Sequence, residues 1–153
     1  MSVFGRAWNW VLSRFFRRLG DAQRHFGNLH GNKDDHWSAI GNYTRAAILD
    51  PNYAEVYYSR GVLYWREIGE FARAIQDLTK TLELEPARTR AYFDRGLAYK
   101  LCNQPALASA DFESYLAEGD EDFWLEAARR QLAELRGEPD VLNQEEPPGM
   151  ASR

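Results

Sequence analysis

The chain has 153 residues, 44% of them apolar and 27% charged, the balance of one globular domain with room for a core. A single cysteine, Cys102, excludes a disulfide framework and a multi-thiolate zinc site. The net charge is −4, but residues 1–20 hold Arg6, Arg14, Arg17 and Arg18 and no acid; that +4 leaves −8 in the rest, which argues against a broad nucleic-acid surface.

The first element is a helix over residues 1–20. At about 100° per residue, Phe4, Trp8, Val11, Leu12, Phe15, Phe16 and Leu19 share one broad face, with Arg6, Ser13, Arg14, Arg17 and Arg18 opposite or beside it. Such a basic amphipathic helix suits four roles: an N-terminal cap on the first repeat, an anchor on an anionic membrane surface, an organellar presequence, or a docking element for another protein or for this chain's own groove. The apolar runs are too short for a secretory signal or a spanning helix. The expected location is therefore cytoplasmic, with a peripheral membrane position open.

Residues 21–136 repeat themselves. Gly27, Gly61 and Gly96 are 34 and 35 residues apart. Ala39, Ala74 and Ala108 are 35 and 34 apart, and Pro51 and Pro86 are 35 apart. The period divides the stretch into units of about 20–52, 53–87 and 88–119. In the second unit, Tyr57, Gly61, Tyr64 and Ile68 form one helical stripe, and Phe71, Ala74, Ile75, Leu78 and Leu82 a second. Each unit is thus a helical hairpin that hides its apolar face only by stacking on its neighbours. One extra residue near Ile68 stretches the second unit. Residues 120–136 form a final amphipathic helix, read as the cap that such a stack needs. The acidic, proline-bearing segment 137–153 lacks aromatics and is expected to be disordered, with Val141 and Leu142 as the competing candidate for a short binding motif.

The period and landmarks resemble the tetratricopeptide repeat. The second unit supplies Tyr57, Arg60, Gly61, Tyr64, Ala74, Leu78 and Pro86; the third supplies Tyr92, Arg95, Gly96, Tyr99, Ala108 and Phe112. The first matches more weakly through Gln23, Phe26, Gly27, His30, Ala39, Tyr43 and Pro51. Arg60 and Arg95 stand where the family places leucine, so their stems must pack while their heads reach water or an acid.

The resemblance implies an all-α fold, an α-solenoid of stacked antiparallel hairpins whose first helices line a concave, peptide-binding groove. It places Arg24, Asn28, Tyr58, Ser59, Val62, Trp65, Arg90, Phe93, Leu97 and Leu101 along that groove. Tyr58, Val62, Trp65, Phe93, Leu97 and Leu101 would form an apolar stripe. Arg24, Asn28, Ser59 and Arg90 fall at four places of the clamp with which chaperone-binding members grip a peptide's C-terminal carboxylate. Asp94, at the fifth, carries the wrong charge.

His25, His30 and His36 show no metal-ligand spacing, Cys102 reads as a packing thiol, and no phosphate loop, dinucleotide fingerprint or nucleophile elbow occurs. The expectation is a protein without catalytic activity, cofactor or metal. It would be an adaptor that binds a partner peptide or helix, with an anionic membrane surface as a further contact. The alternative is a membrane assembly factor or a structural subunit of a complex.

Overall fold

In a computed structural model, residues 3–138 are described, without the side chains of residues 3, 4 and 6. From residue 139 on, the tail expected to be disordered lies outside the described residues. Among the described residues seven α-helices follow one another: α1 (Val3–His30), α2 (Lys33–Leu49), α3 (Ala54–Leu63), α4 (Phe71–Leu84), α5 (Thr89–Leu101), α6 (Pro105–Glu118) and α7 (Asp122–Arg136). A π-helical turn over Tyr64–Ile68 continues α3. Among the described residues there is no strand, and the fold is an all-α solenoid of stacked hairpins.

The sequence pattern separates a helix over 1–20 from a first unit starting near 20. The chain instead runs through this point as the single 28-residue helix α1. Gly20 does not end the helix because it is a packing position. A Cβ there would stand 2.7 Å from Cε1 of Tyr43, whose ring lies across it. Ser13, Gly20 and Gly27, seven residues apart, form the seam on which α2 lies close.

The extra residue of the second unit goes into the π turn. One inserted residue in a helix is absorbed as a wider turn, and such turns re-aim the side chains they carry. The turn closes at Gly69, whose φ of 82° is left-handed, and the Glu70 N–H donates to the Tyr64 carbonyl at 2.9 Å.

The two arginines at leucine positions hold the units together. Arg60 of α3 donates from Nε and Nη2 to the two carboxylate oxygens of Asp77 in α4, both at 2.7 Å. Its Nη1 donates to Thr44 Oγ1 in α2 at 2.8 Å. One unit on, Arg95 of α5 grips Asp111 of α6 at 2.8 and 2.7 Å and reaches back to Thr79 Oγ1 of α4 at 3.0 Å. Each arginine therefore closes its own hairpin and ties it to the one before. The planar guanidinium fork meets a carboxylate with two bonds and still has a donor to spare. Burial pushes the Asp77 carboxyl above its ordinary value, while Arg60 pulls it down.

Candidate functional site

The resemblance assigns the first helices α1, α3 and α5 to the lining of a hollow. Near its α1 end, Arg24 and Asn28 of α1, Val62 and Leu63 of α3, and Arg66 and Glu67 of the π turn line one small cleft of about 40 Å³. His36 Nε2 donates to Asn28 Oδ1 at 3.0 Å, which sets the amide. The guanidinium of Arg66 lies 5.8 Å from the Trp65 ring centroid. Arg24 and Arg66 thus bring two cations, and Glu67 one anion, to a single cleft beside Val62.

The far end of the hollow is differently occupied. The Tyr58 hydroxyl donates to Asp94 Oδ2 at 2.8 Å, and Arg90 Nε stands 3.6 Å from the same oxygen, an ion pair too long for a hydrogen bond. Asp94 is only 2% exposed. Burial pushes its carboxyl up, with Arg90 the largest opposing influence. Burial also pushes the Tyr58 phenol up, reinforced by Asp94. The Arg90 guanidinium is stacked 3.1 Å over the Trp124 ring of α7 and lies 5.1 Å from Phe93. Helix α7 therefore holds the arginine that a carboxylate clamp would use.

Several residues assigned to the groove lie elsewhere. Phe93 is 3% exposed and meets Phe112, Tyr115 and Trp124 edge-on at 5.7, 5.5 and 5.3 Å. It is a core residue, because α7 lays Trp124 over it. Ser59 is also buried. Trp65 is half-buried against two core clusters, and Leu97 against a third. The apolar stripe is thus interrupted; Val62 stays half-open and Leu101 exposed. Glu67 and Trp124 were not assigned to the groove. The extra residue near Ile68 is the signal for Glu67, whereas nothing in the sequence orients Trp124.

The apolar face of α1 divides likewise. Trp8 (64%), Val11, Phe15 (57%) and Leu19 are exposed, Leu12 is half-buried, and Phe16 packs beside Ala46, Ala47 and Val56. Phe4 falls among the side chains not described. Phe26 (54%) and Leu29 (66%) extend the exposed row beyond residue 20. Among the described residues no group of acidic, histidine and cysteine side chains could hold a metal, and no helix is long and apolar enough to cross a membrane.

The tetratricopeptide-repeat profile matches residues 54–88, the second hairpin. The tetratricopeptide-repeat domain of Arabidopsis OM64 superposes with a TM-score of 0.69 at 26% identity, over 84% of this chain and 98% of that one. The chain thus carries a tetratricopeptide repeat in its second hairpin and has the fold of a tetratricopeptide-repeat domain. Among curated relatives of this tetratricopeptide-repeat protein, the Hsp70-Hsp90 organizing protein of Triticum aestivum is 30% identical over 79 residues, 52% of this chain and 13% of that protein. The UDP-N-acetylglucosamine--peptide N-acetylglucosaminyltransferase of Giardia intestinalis is 31% identical over 80 residues, 52% of this chain. This chain spans 5% of that enzyme's length, so the likeness is one of repeats.

Proposed function

We propose that this tetratricopeptide-repeat protein is a non-enzymatic adaptor that holds a segment of a partner protein in its concave groove. The repeat and its fold support a protein-interaction role, and the wheat relative is by name an organizer of two other proteins. The observation that carries the groove reading is the cleft between α1 and the π turn, where Arg24, Asn28 and Arg66 surround Val62. A chaperone-type acidic tail fits poorly, since Asp94 stands where that ligand needs a cation and Arg90 is held by Trp124. A segment with an apolar residue for Val62 and one anionic group for the two arginines fits better.

Substituting Val62→Glu and Arg66→Glu should abolish partner capture in affinity purification from the native source, with helical circular dichroism unchanged. Undiminished capture by a folded variant overturns the groove reading. A second reading, in which α1 rests on an anionic membrane, is favoured by exposed Arg18 together with exposed Trp8 and Phe15, although Arg14 and Arg17 are already paired with Asp50 and Asp21. Flotation with vesicles containing phosphatidylglycerol, lost on Trp8→Glu with Phe15→Glu, would establish it. Flotation of neither protein would dismiss it.

A further inference from the structure

The exposed row on α1 has counterparts in the other units. Leu19, Ala22, Phe26 and Leu29 correspond, one period on, to Tyr53 at the N-cap of α3 and Val56, Arg60 and Leu63 within it, and then to Arg88 at the N-cap of α5 and Ala91, Arg95 and Ala98 within it. In those helices this row receives the second helix of the preceding unit. Tyr53 and Val56 share a cluster with Ala46 and Ala47 of α2, and Arg60 bonds Thr44. Ala91 shares a cluster with Leu78 and Leu82 of α4, and Arg95 bonds Thr79. In α1 the same row is open to solvent. It also continues N-terminally through Phe15, Val11 and Trp8, and from Trp8 to Leu29 it runs about 30 Å at about 1.5 Å per residue.

The outermost unit of a stack is normally polar on its outer side. The other end largely obeys this rule, since α7 shows solvent Glu126, Arg129, Arg130 and Glu134, with Phe123 its one large exposed apolar side chain. The α1 end does not. Beside the row, a shallow cleft of about 230 Å³ lined by Gln23, Ser38, Gly41, Asn42 and Arg45 contains the buried Asn42 Oδ1, which has no hydrogen-bond partner. This end has the character of a stacking interface with one side absent.

We propose that this face docks an amphipathic helix of a partner protein, running antiparallel to α1 as α2 runs to α3. The register sets its chemistry. It presents small and aliphatic residues, as α2 and α4 do, so that the large Leu19, Phe26 and Leu29 fill the spaces between them. It is apolar where α2 and α4 carry Thr44 and Thr79, because Phe26 replaces the arginine that seeks a hydroxyl. It is acidic opposite Arg18, the exposed arginine of the N-terminal half, where Arg14 and Arg17 are already paired with Asp50 and Asp21. A second copy would bring equally large residues and the same arginines. A lipid surface would explain the row but not its coincidence with the stacking register. This proposal stands apart from the groove, which lies on another side of α1.

The test uses the full chain and two fluorescein-labelled 20-residue helical peptides that share an alanine/leucine face, one flanked by glutamate and one by lysine. Fluorescence anisotropy should show saturable binding of the glutamate peptide and at least tenfold weaker binding of the lysine peptide. Phe26→Glu should weaken the glutamate peptide at least tenfold and Arg18→Glu several-fold, while Val62→Glu leaves it unchanged. No saturable binding, or equal binding to the Phe26→Glu variant of unchanged helicity, overturns the proposal. Capture by phosphatidylglycerol vesicles without peptide binding would assign the face to lipid. A dimer in sedimentation velocity that Phe26→Glu dissociates would assign it to a second copy. Either result overturns the proposal while leaving the groove reading intact.

Discussion

Arg60 and Asp77 show how one pair can decide stability. Their side chains are 16% and 8% exposed, so neither charge can turn to water when the other is removed. Asp77→Ala should cost about 3–5 kcal/mol, as expected for a buried ion left without its partner. Replacing both by leucine should recover much of that loss, since apolar residues fill the same space without desolvating a charge. Urea unfolding of the two single variants and the double variant measures the difference. Asp94 behaves oppositely. Its folded carboxyl titrates above the ordinary value because burial disfavours the anion. Above the unfolded carboxylate value, the folded state therefore holds more proton than the unfolded state, and Asp94 makes stability fall as pH rises through that window. Asp94→Asn keeps an acceptor for Tyr58 and removes the charge. Its denaturation midpoint relative to the parent should rise between pH 4 and pH 7; a difference independent of pH would refute this account.

Among the elements, α1 is held by close approach. Gly20→Ala would drive a methyl group to 2.7 Å from the Tyr43 ring, and Tyr43 is wholly buried with its hydroxyl donated to Asp21 at 2.8 Å. The ring cannot retreat freely, so the substitution should cost about 1–3 kcal/mol as overpacking, read in thermal or urea unfolding. This glycine also explains why the sequence misplaces a boundary. A glycine between a basic segment and a repeat reads as a helix break, whereas only the partner ring reveals it as a contact. The hairpins themselves are legible because Gly27, Gly61 and Gly96 recur with the alanines of the second helices. The arginine pairs are half legible: Arg60 and Arg95 at apolar positions demand an acid, and Asp77 and Asp111 lie 17 and 16 residues on. The groove is the least legible part. Phe93 in α5 and Trp65 in the π turn sit on segments where apolar and polar residues share every side, so periodicity cannot say which aromatic faces solvent. Trp124, which decides the matter for Phe93 and Arg90, comes from a helix outside the repeat.

On the scale of the whole molecule, the cleft beside the π turn and the outer face of α1 are separate surfaces. Val62→Glu and Phe26→Glu should therefore act independently, and a double variant should lose both kinds of binding without the effect of either depending on the other. A coupling of about 1 kcal/mol or more in a titration with one ligand would instead show that α1 transmits a change across the stack. The reach of Arg60 to Thr44 and of Arg95 to Thr79 also bears on how the chain assembles. Each guanidinium finds its hydroxyl on a segment already made when the arginine leaves the ribosome, never on one still to come. Assembly can therefore keep pace with translation, every hairpin after the first closing onto a finished predecessor.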